Sequence, residues 1–301
     1  MTDEPVTTPE EERDGLVRVR LDLAYEGTDF SGWARQPQRR TVQATLEQAL
    51  AQVLRLAAPP RTTVAGRTDA GVHATGQVVH VDVAAGQLGP AGGPARLLRR
   101  LNGVLPPDVR VHGAAAAPDG FDARFGALSR RYRYRLCDGI CHPLRRRDTL
   151  SVHRLLDTEA MSRAARELLG QHDFAAYCRC RPGASSVREL QGFTWKREPE
   201  GGEGLSTGGV LVADLLADGF CHSMVRALVG ACLAVGEGRR PESWPAQVLA
   251  GRVRDPGVLV AAAHGLTLVG VDYPELGGLA ARAALTRRHR PPLPGDGAAG
   301  V

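Results

Sequence analysis

The sequence predicts an α+β fold in which two similar halves sit edge to edge as one long sheet with helices on one face. Three observations predict it. Over Val17 to Tyr25 the apolar residues Val17, Val19, Leu21, Leu23 and Tyr25 alternate with Arg18, Arg20, Asp22 and Ala24, the pattern of a strand with one face on a core. Val42, Leu46, Ala49, Leu50, Val53 and Leu54 then recur at helical spacing. The order these elements begin, with strand, helix, strand, strand, helix, strand, comes round a second time further along the chain.

In the first half, Thr41 stands where an N-cap is needed, and Pro59 and Pro60 close the helix it opens. Thr63 to Ala65 and the valine-rich Gln77 to Val83 read as strands. A helix is predicted around Ala95 to Asn102, and Val109 and Val111 mark a further strand. The second half begins near Phe121 with a strand from Arg130 to Leu136 and a helix from Thr158 to Leu169. A hairpin of Val187 to Arg197 with Val210 to Leu216, a helix from Cys221 to Val235 and a strand from Leu266 to Val271 complete it. The organisation expected is an acidic disordered N-terminus over 1–14, α+β halves over 15–117 and 118–276, and a disordered tail over 277–301. That tail is rich in Pro and Gly and carries Arg287, Arg288, His289 and Arg290.

Between the strands at 63–65 and 77–83 lies GRTDAGVHATG, a glycine-bounded loop that presents Arg67 and Asp69. Glycines at 66, 71 and 76 allow backbone angles closed to other residues and let a large ligand approach. An arginine two positions before an aspartate can pair with it or hold a phosphate beside it. On residue type and spacing alone, an Asx-turn in which Asp69 bonds its own backbone fits at least as well.

A chain of 301 residues with 43% hydrophobic content can bury one or two cores. It has no uninterrupted apolar run of membrane-spanning length, and its acidic start lacks the features of a signal peptide, so a cytoplasmic protein is expected. Six cysteines fit that compartment as free thiols, and neither the Cys178, Cys180 pair nor Cys137 with Cys141 has zinc-knuckle spacing. The first 14 residues hold six acids and one base, a net of −5, which leaves +10 for the remainder against +5 overall. All the basic side chains but Lys196 are arginine, 37 of 38. Arginine suits phosphates and stacks on bases, but GC-rich coding explains its abundance equally well, so basicity only permits RNA binding.

The motifs go further in combination. YEGTDFSGW (25–33), TVQATLEQAL (41–50), AGRTDAGVHATGQV (65–78), FDARF (121–125), RRYRY (130–134), GFCHSMVRALVGACLAVGEG (219–238) and HGLTLVGVDYP (264–274) follow one another. In this order and at these separations the chain resembles the bacterial tRNA pseudouridine synthases of the TruA type, from about Val17 to Pro274. The resemblance implies two ferredoxin-like halves forming one mainly antiparallel sheet around a central basic cleft. It implies isomerisation of uridine to pseudouridine in the anticodon stem-loop of tRNA at positions 38, 39 and 40, without metal or organic cofactor, by a homodimer.

It also implies a site. Asp69 matches the essential aspartate, and an ionised carboxylate supplies either a nucleophile or a stabiliser for an electron-poor sugar carbon. The family pairs that aspartate with the arginine of MVR, here Arg226, which would otherwise read as a solvated or snorkelling side chain at the edge of a helix. Strand alternation makes Tyr132 a core aromatic alongside Tyr134; the resemblance instead sets Tyr132 against the target base, where it assists proton transfer. Leu266, core by default, matches the leucine beneath the flipped base, and Arg67 matches an arginine that helps open the RNA. His73, His222 and His264 read as satisfied polar residues. Phe30 and Trp33 could stack on nucleotides or cap the sheet. Asp122 replaces the usual histidine of FHARF and Ala34 the glutamine of GWQ, departures that bear on RNA contacts. The competing readings are a catalytically silent RNA-binding protein on the same fold and a synthase acting on another RNA.

Overall fold

Alternation in the first strand, β1 (Leu16–Tyr25), is realised as burial: Val19, Leu21 and Leu23 are inaccessible, while Arg18, Arg20 and Asp22 point to the opposite face. A computed structural model describes residues 15–89, 92–179, 185–198 and 209–287. The expected disorder of residues 1–14 and 288–301, and Cys180, lie outside them.

Six elements after β1 build and extend the first half: α1 (Val42–Leu54), β2 (Thr62–Val64), β3 (His73–Ala84), the short α2 (Ala85–Leu88), α3 (Gly93–Val104) and β4 (Val109–Ala116). Thr41 caps α1 through a 3.4 Å bond from Ala44 N. Then come β5 (Ser129–Cys137), β6 (Leu150–Ser151), α4 (Thr158–Arg166), β7 (Gly170–Asp173), β8 (Val187–Glu198) and β9 (Val210–Ala217). The described residues finish with α5 (Met224–Gly236), α6 (Trp244–Gly251), β10 (Leu266–Asp272) and α7 (Leu279–Arg287). Asp157 accepts the Ala160 amide at 2.9 Å and starts α4.

The ten-stranded sheet runs β4-β1-β3-β10-β5-β9-β8-β7, with β2 on β3 and β6 on β5. Each half has the ferredoxin-like order, since β4-β1-β3-β2 and β10-β5-β9-β8 are the same permutation. β1 fills one edge of β3, so β2 and β10 must share the other. β2 takes Val79 to Val81, and β10 joins in parallel at His73 and Ala74. That seam demands a glycine: a Cβ on Gly76 would lie 2.3 Å from the Val269 carbonyl oxygen. Gly71 is needed for a different reason, a φ of +78° in the turn before β3.

One apolar core crosses the seam, with Leu46 and Leu50 of α1, Leu97 and Leu101 of α3, Met161 of α4 and Leu228 of α5 against a single face of the sheet. α7 departs from the expected disordered tail. Its Leu279 packs with Ala65, Val78, Phe121 and Ala123 in a separate cluster, and Val78 points away from the face used by Val79. Local composition does not reveal such a helix because tertiary contact stabilises it. Among the described residues no helix is long and apolar enough to cross a membrane.

Candidate active site

The loop from Gly66 to Val72 between β2 and β3 is shaped from behind. The Tyr25 and Thr68 hydroxyls share a 2.7 Å hydrogen bond, and Gln77 Nε2 donates to the Tyr25 hydroxyl at 3.2 Å and to the Gly66 carbonyl at 2.8 Å. Burial pushes the Tyr25 phenol up to about 12 against the pull of those two partners, so it stays protonated. Trp33 N donates to the Thr68 carbonyl at 3.0 Å and Gly71 N to that of Phe30 at 3.3 Å. Phe30 and Trp33 are 3% and 1% exposed, which makes them the cap of the sheet and removes them as stacking platforms.

With the loop so held, Asp69 turns a quarter-exposed carboxylate toward the second half of the chain. Three side chains reach it from one short segment. His222 Nε2 lies 3.3 Å from Oδ1, Arg226 Nη1 lies 3.6 Å from Oδ2, and Ser223 Oγ is 3.4 Å from Oδ2. Arg226 is aimed from its other side, where Nε donates to the Ala261 carbonyl at 2.6 Å. α5 begins at Met224 rather than at Cys221 because Ser223 takes a left-handed conformation, φ 66° and ψ 2°. That conformation costs a non-glycine residue roughly 1–2 kcal/mol and is the kind of strain that gathers at functional sites.

Tyr132 projects from β5 with its ring edge-on to Phe220, centroids 5.2 Å apart at 89°. A Cβ on Gly66 would lie 4.0 Å from the Tyr132 hydroxyl, so this phenol borders the loop that carries Asp69. Burial, then the charges of Tyr25 and Asp69, push it well above the ordinary tyrosine range. It is a neutral hydroxyl. Tyr134 donates to the Ala262 carbonyl at 2.7 Å and is structural. Leu266 opens β10 opposite Tyr134 and is 5% exposed, at once core and cleft wall. Arg67 is exposed and bonds no described residue. His73 is satisfied at both nitrogens, accepting from Gly27 N at 2.8 Å and lying 2.7 Å from the Arg147 carbonyl.

Asp69, Tyr132, His222, Ser223, Arg226 and Leu266 line one cleft of about 1150 Å³, whose wall holds eight arginines in total and two aspartates. Arg130 ties its floor together, donating to the carbonyls of Ala65, Arg124 and Asp218 at 2.9, 2.7 and 2.7 Å. Cys178 and Cys221, also in the wall, are joined as a disulfide with Cα atoms 5.7 Å apart. This corrects the expectation of free thiols for these two, while Cys137, Cys141 and Cys232 are thiols: the fold brings together two residues 43 positions apart, a pairing that spacing cannot reveal.

A family model described as tRNA pseudouridine synthase matches residues 23–126 and 164–274. The chain belongs to the tRNA pseudouridine synthase family. Proteins named tRNA pseudouridine synthase A share 61% identity in Frankia casuarinae, over 93% of this chain and 98% of that one, and 56% in Streptomyces griseus, over 94% and 97%. In Mycobacterium leprae the identity is 49%, over 90% and 94%. In this synthase-family chain the two matched stretches carry Asp69 on one side and Arg226 with Leu266 on the other, and Tyr132 falls between them. Sequence reasoning missed His222 and Ser223 as neighbours of the carboxylate, and Tyr25, Gln77 and Arg130 as its scaffold. For His222 the available signal was its place four residues before Arg226, in the turn that leads into the same helix.

Proposed function

We propose that the protein isomerises uridine to pseudouridine in tRNA, at positions 38, 39 and 40 of the anticodon stem-loop, with Asp69, Tyr132 and Arg226 as its catalytic residues. The observation that carries this reading is the carboxylate of Asp69 bracketed by His222 and Arg226 within an arginine-lined cleft. In the reaction the N1–C1′ glycosidic bond breaks and a C5–C1′ bond forms; C5 gives up a proton and N1 takes one up. Asp69 serves the breaking bond as nucleophile or as stabiliser of the electron-poor carbon. Arg226 holds the carboxylate in its aim, and Tyr132, protonated and bordering the loop that carries Asp69, assists proton transfer at the base. Leu266 packs beneath the flipped base, and Arg67, with no described partner, takes RNA backbone beside the loop.

The setting is the cytoplasm, where tRNA is found, and the working unit is a homodimer, so that one tRNA spans two subunits. Mapping pseudouridine in total tRNA from cells with and without the gene tests the reading: loss at 38–40 alone supports it, and unchanged tRNA with a lesion in another RNA contradicts it. A dimer is expected in sedimentation at micromolar concentration.

A further inference from the structure

After β10 the chain turns back over the segment Phe121 to Phe125, and α7 comes to lie beside the cleft. Leu279 and Ala283, one turn apart, are 3% and 5% exposed. Gly120, with φ +74°, lies so close that a Cβ there would meet that of Ala280 at 2.6 Å. This packing leaves the C-terminal turn facing the opening: Arg282, Leu285, Thr286 and Arg287 line the same cleft as Asp69. α7 contains no acidic residue.

Asp122 connects this helix to the site. Its Oδ1 accepts the amides of Arg124 and Phe125, both at 2.8 Å, which commits one oxygen to shaping its own loop. The other, Oδ2, accepts Arg287 Nη2 at 2.9 Å, with Asp122 8% and Arg287 56% exposed at the side chain. Burial works to raise the Asp122 carboxyl, but the Phe125 amide, Arg287 and the Arg124 amide outweigh it and keep the group below its usual range. The guanidinium has five N–H donors and spends one on Asp122. Arg124 and Arg287 both stand over the Phe125 ring, at 5.1 and 5.6 Å, and Arg282 bonds the Ala127 carbonyl only weakly at 3.4 Å. Three guanidinium groups with spare donors therefore meet at one rim.

We propose that α7 is an added wall of the RNA cleft, latched in place by Asp122, and that Arg282 and Arg287 bind tRNA backbone phosphates. The proposal rests on the tRNA reading above. Asp122, in the position where the resemblance leads one to expect histidine, thus fixes an RNA-binding helix from beneath.

Fluorescence anisotropy with an unmodified tRNA transcript, run across a salt series, tests this with the full-length protein beside Arg282→Ala/Arg287→Ala and Asp122→Asn. The double variant should bind about 10-fold more weakly, and its log–log salt slope should shrink by about 1 to 2, as expected for one or two lost phosphate contacts. The loss should fall in KM rather than kcat. Asp122→Asn, which can keep the loop bonds and loses the negative charge that faces Arg287, should show part of that loss. Hydrogen exchange of the unaltered protein gives a second readout, with residues 279–287 gaining protection when tRNA is added. Unchanged affinity and slope in a normally melting double variant overturns the proposal; so does absence of protection. Tighter binding or faster turnover without the arginines does the same, since α7 would then be a plug. If the unaltered protein neither binds nor modifies tRNA, the tRNA reading fails first; modification that is indifferent to α7 sinks this inference alone.

Discussion

His222 Nε2 stands 3.3 Å from Asp69 Oδ1, while the other ring nitrogen, Nδ1, is buried with no hydrogen-bond partner among the described residues. The ring is therefore oriented by the carboxylate it touches, and it holds the oxygen opposite the one facing Arg226. A side chain that positions a reacting group acts through its aim, and a small misplacement costs about 100-fold in rate. His222→Ala should slow single-turnover pseudouridine formation about 10- to 100-fold with the melting temperature nearly unchanged, and His222→Asn should recover part of the rate. An unaltered rate in His222→Ala would leave Arg226 and Ser223 as sufficient supports for Asp69.

Tyr132→Phe and Arg226→Lys separate chemistry from packing. The ring of Tyr132 stays buried against Phe220 in the Phe variant, so a purely structural hydroxyl would cost about 1 kcal/mol of stability and leave turnover intact. A hydroxyl that moves a proton predicts a fall of about 100-fold in rate with an unchanged melt. Lysine at 226 keeps the charge and loses the fork that meets Ala261 and Asp69 together, so it should also be slow. Single-turnover rates beside thermal melts read both.

Much of this was legible in the residues. Strand alternation and helical spacing located β1, α1 and β5 because each buries one face. The motif segments named the three residues that converge from separate elements. What stayed hidden depends on tertiary contact. α6 is eight residues long and α7 nine, too short for local pattern to announce them. The late start of α5 follows from the conformation of Ser223 alone, and the Cys178–Cys221 bond from the fold. His222 looked like any satisfied histidine until the second half was laid beside the first.

His80 makes the fold sensitive to acid. It is 5% exposed on β3, and its Nδ1 accepts the Ala123 amide at 3.0 Å, which needs a neutral ring. Burial, then Arg18, pull it from 6.5 down to about 4 despite Asp122 and Asp82. A folded value below the unfolded one means this stabilisation is fully present above about pH 6.5 and is lost as pH falls toward 4, up to about 3 kcal/mol. Urea unfolding at about pH 7.5 and about pH 4.5 should show a smaller difference for His80→Gln than for the unaltered protein. Equal differences would remove His80 as the cause.

Asp69→Asn bears most directly on the site as a whole. The change keeps the shape of the side chain and deletes one negative charge from a cleft lined by eight arginines. Single-turnover assay of this variant on a tRNA with uridine at the target position, with affinity measured in parallel, is the decisive measurement. The prediction is no detectable pseudouridine with tRNA affinity equal to or slightly above that of the unaltered protein. Formation of pseudouridine at a measurable fraction of the original rate would contradict the assignment of Asp69 as the reacting carboxylate.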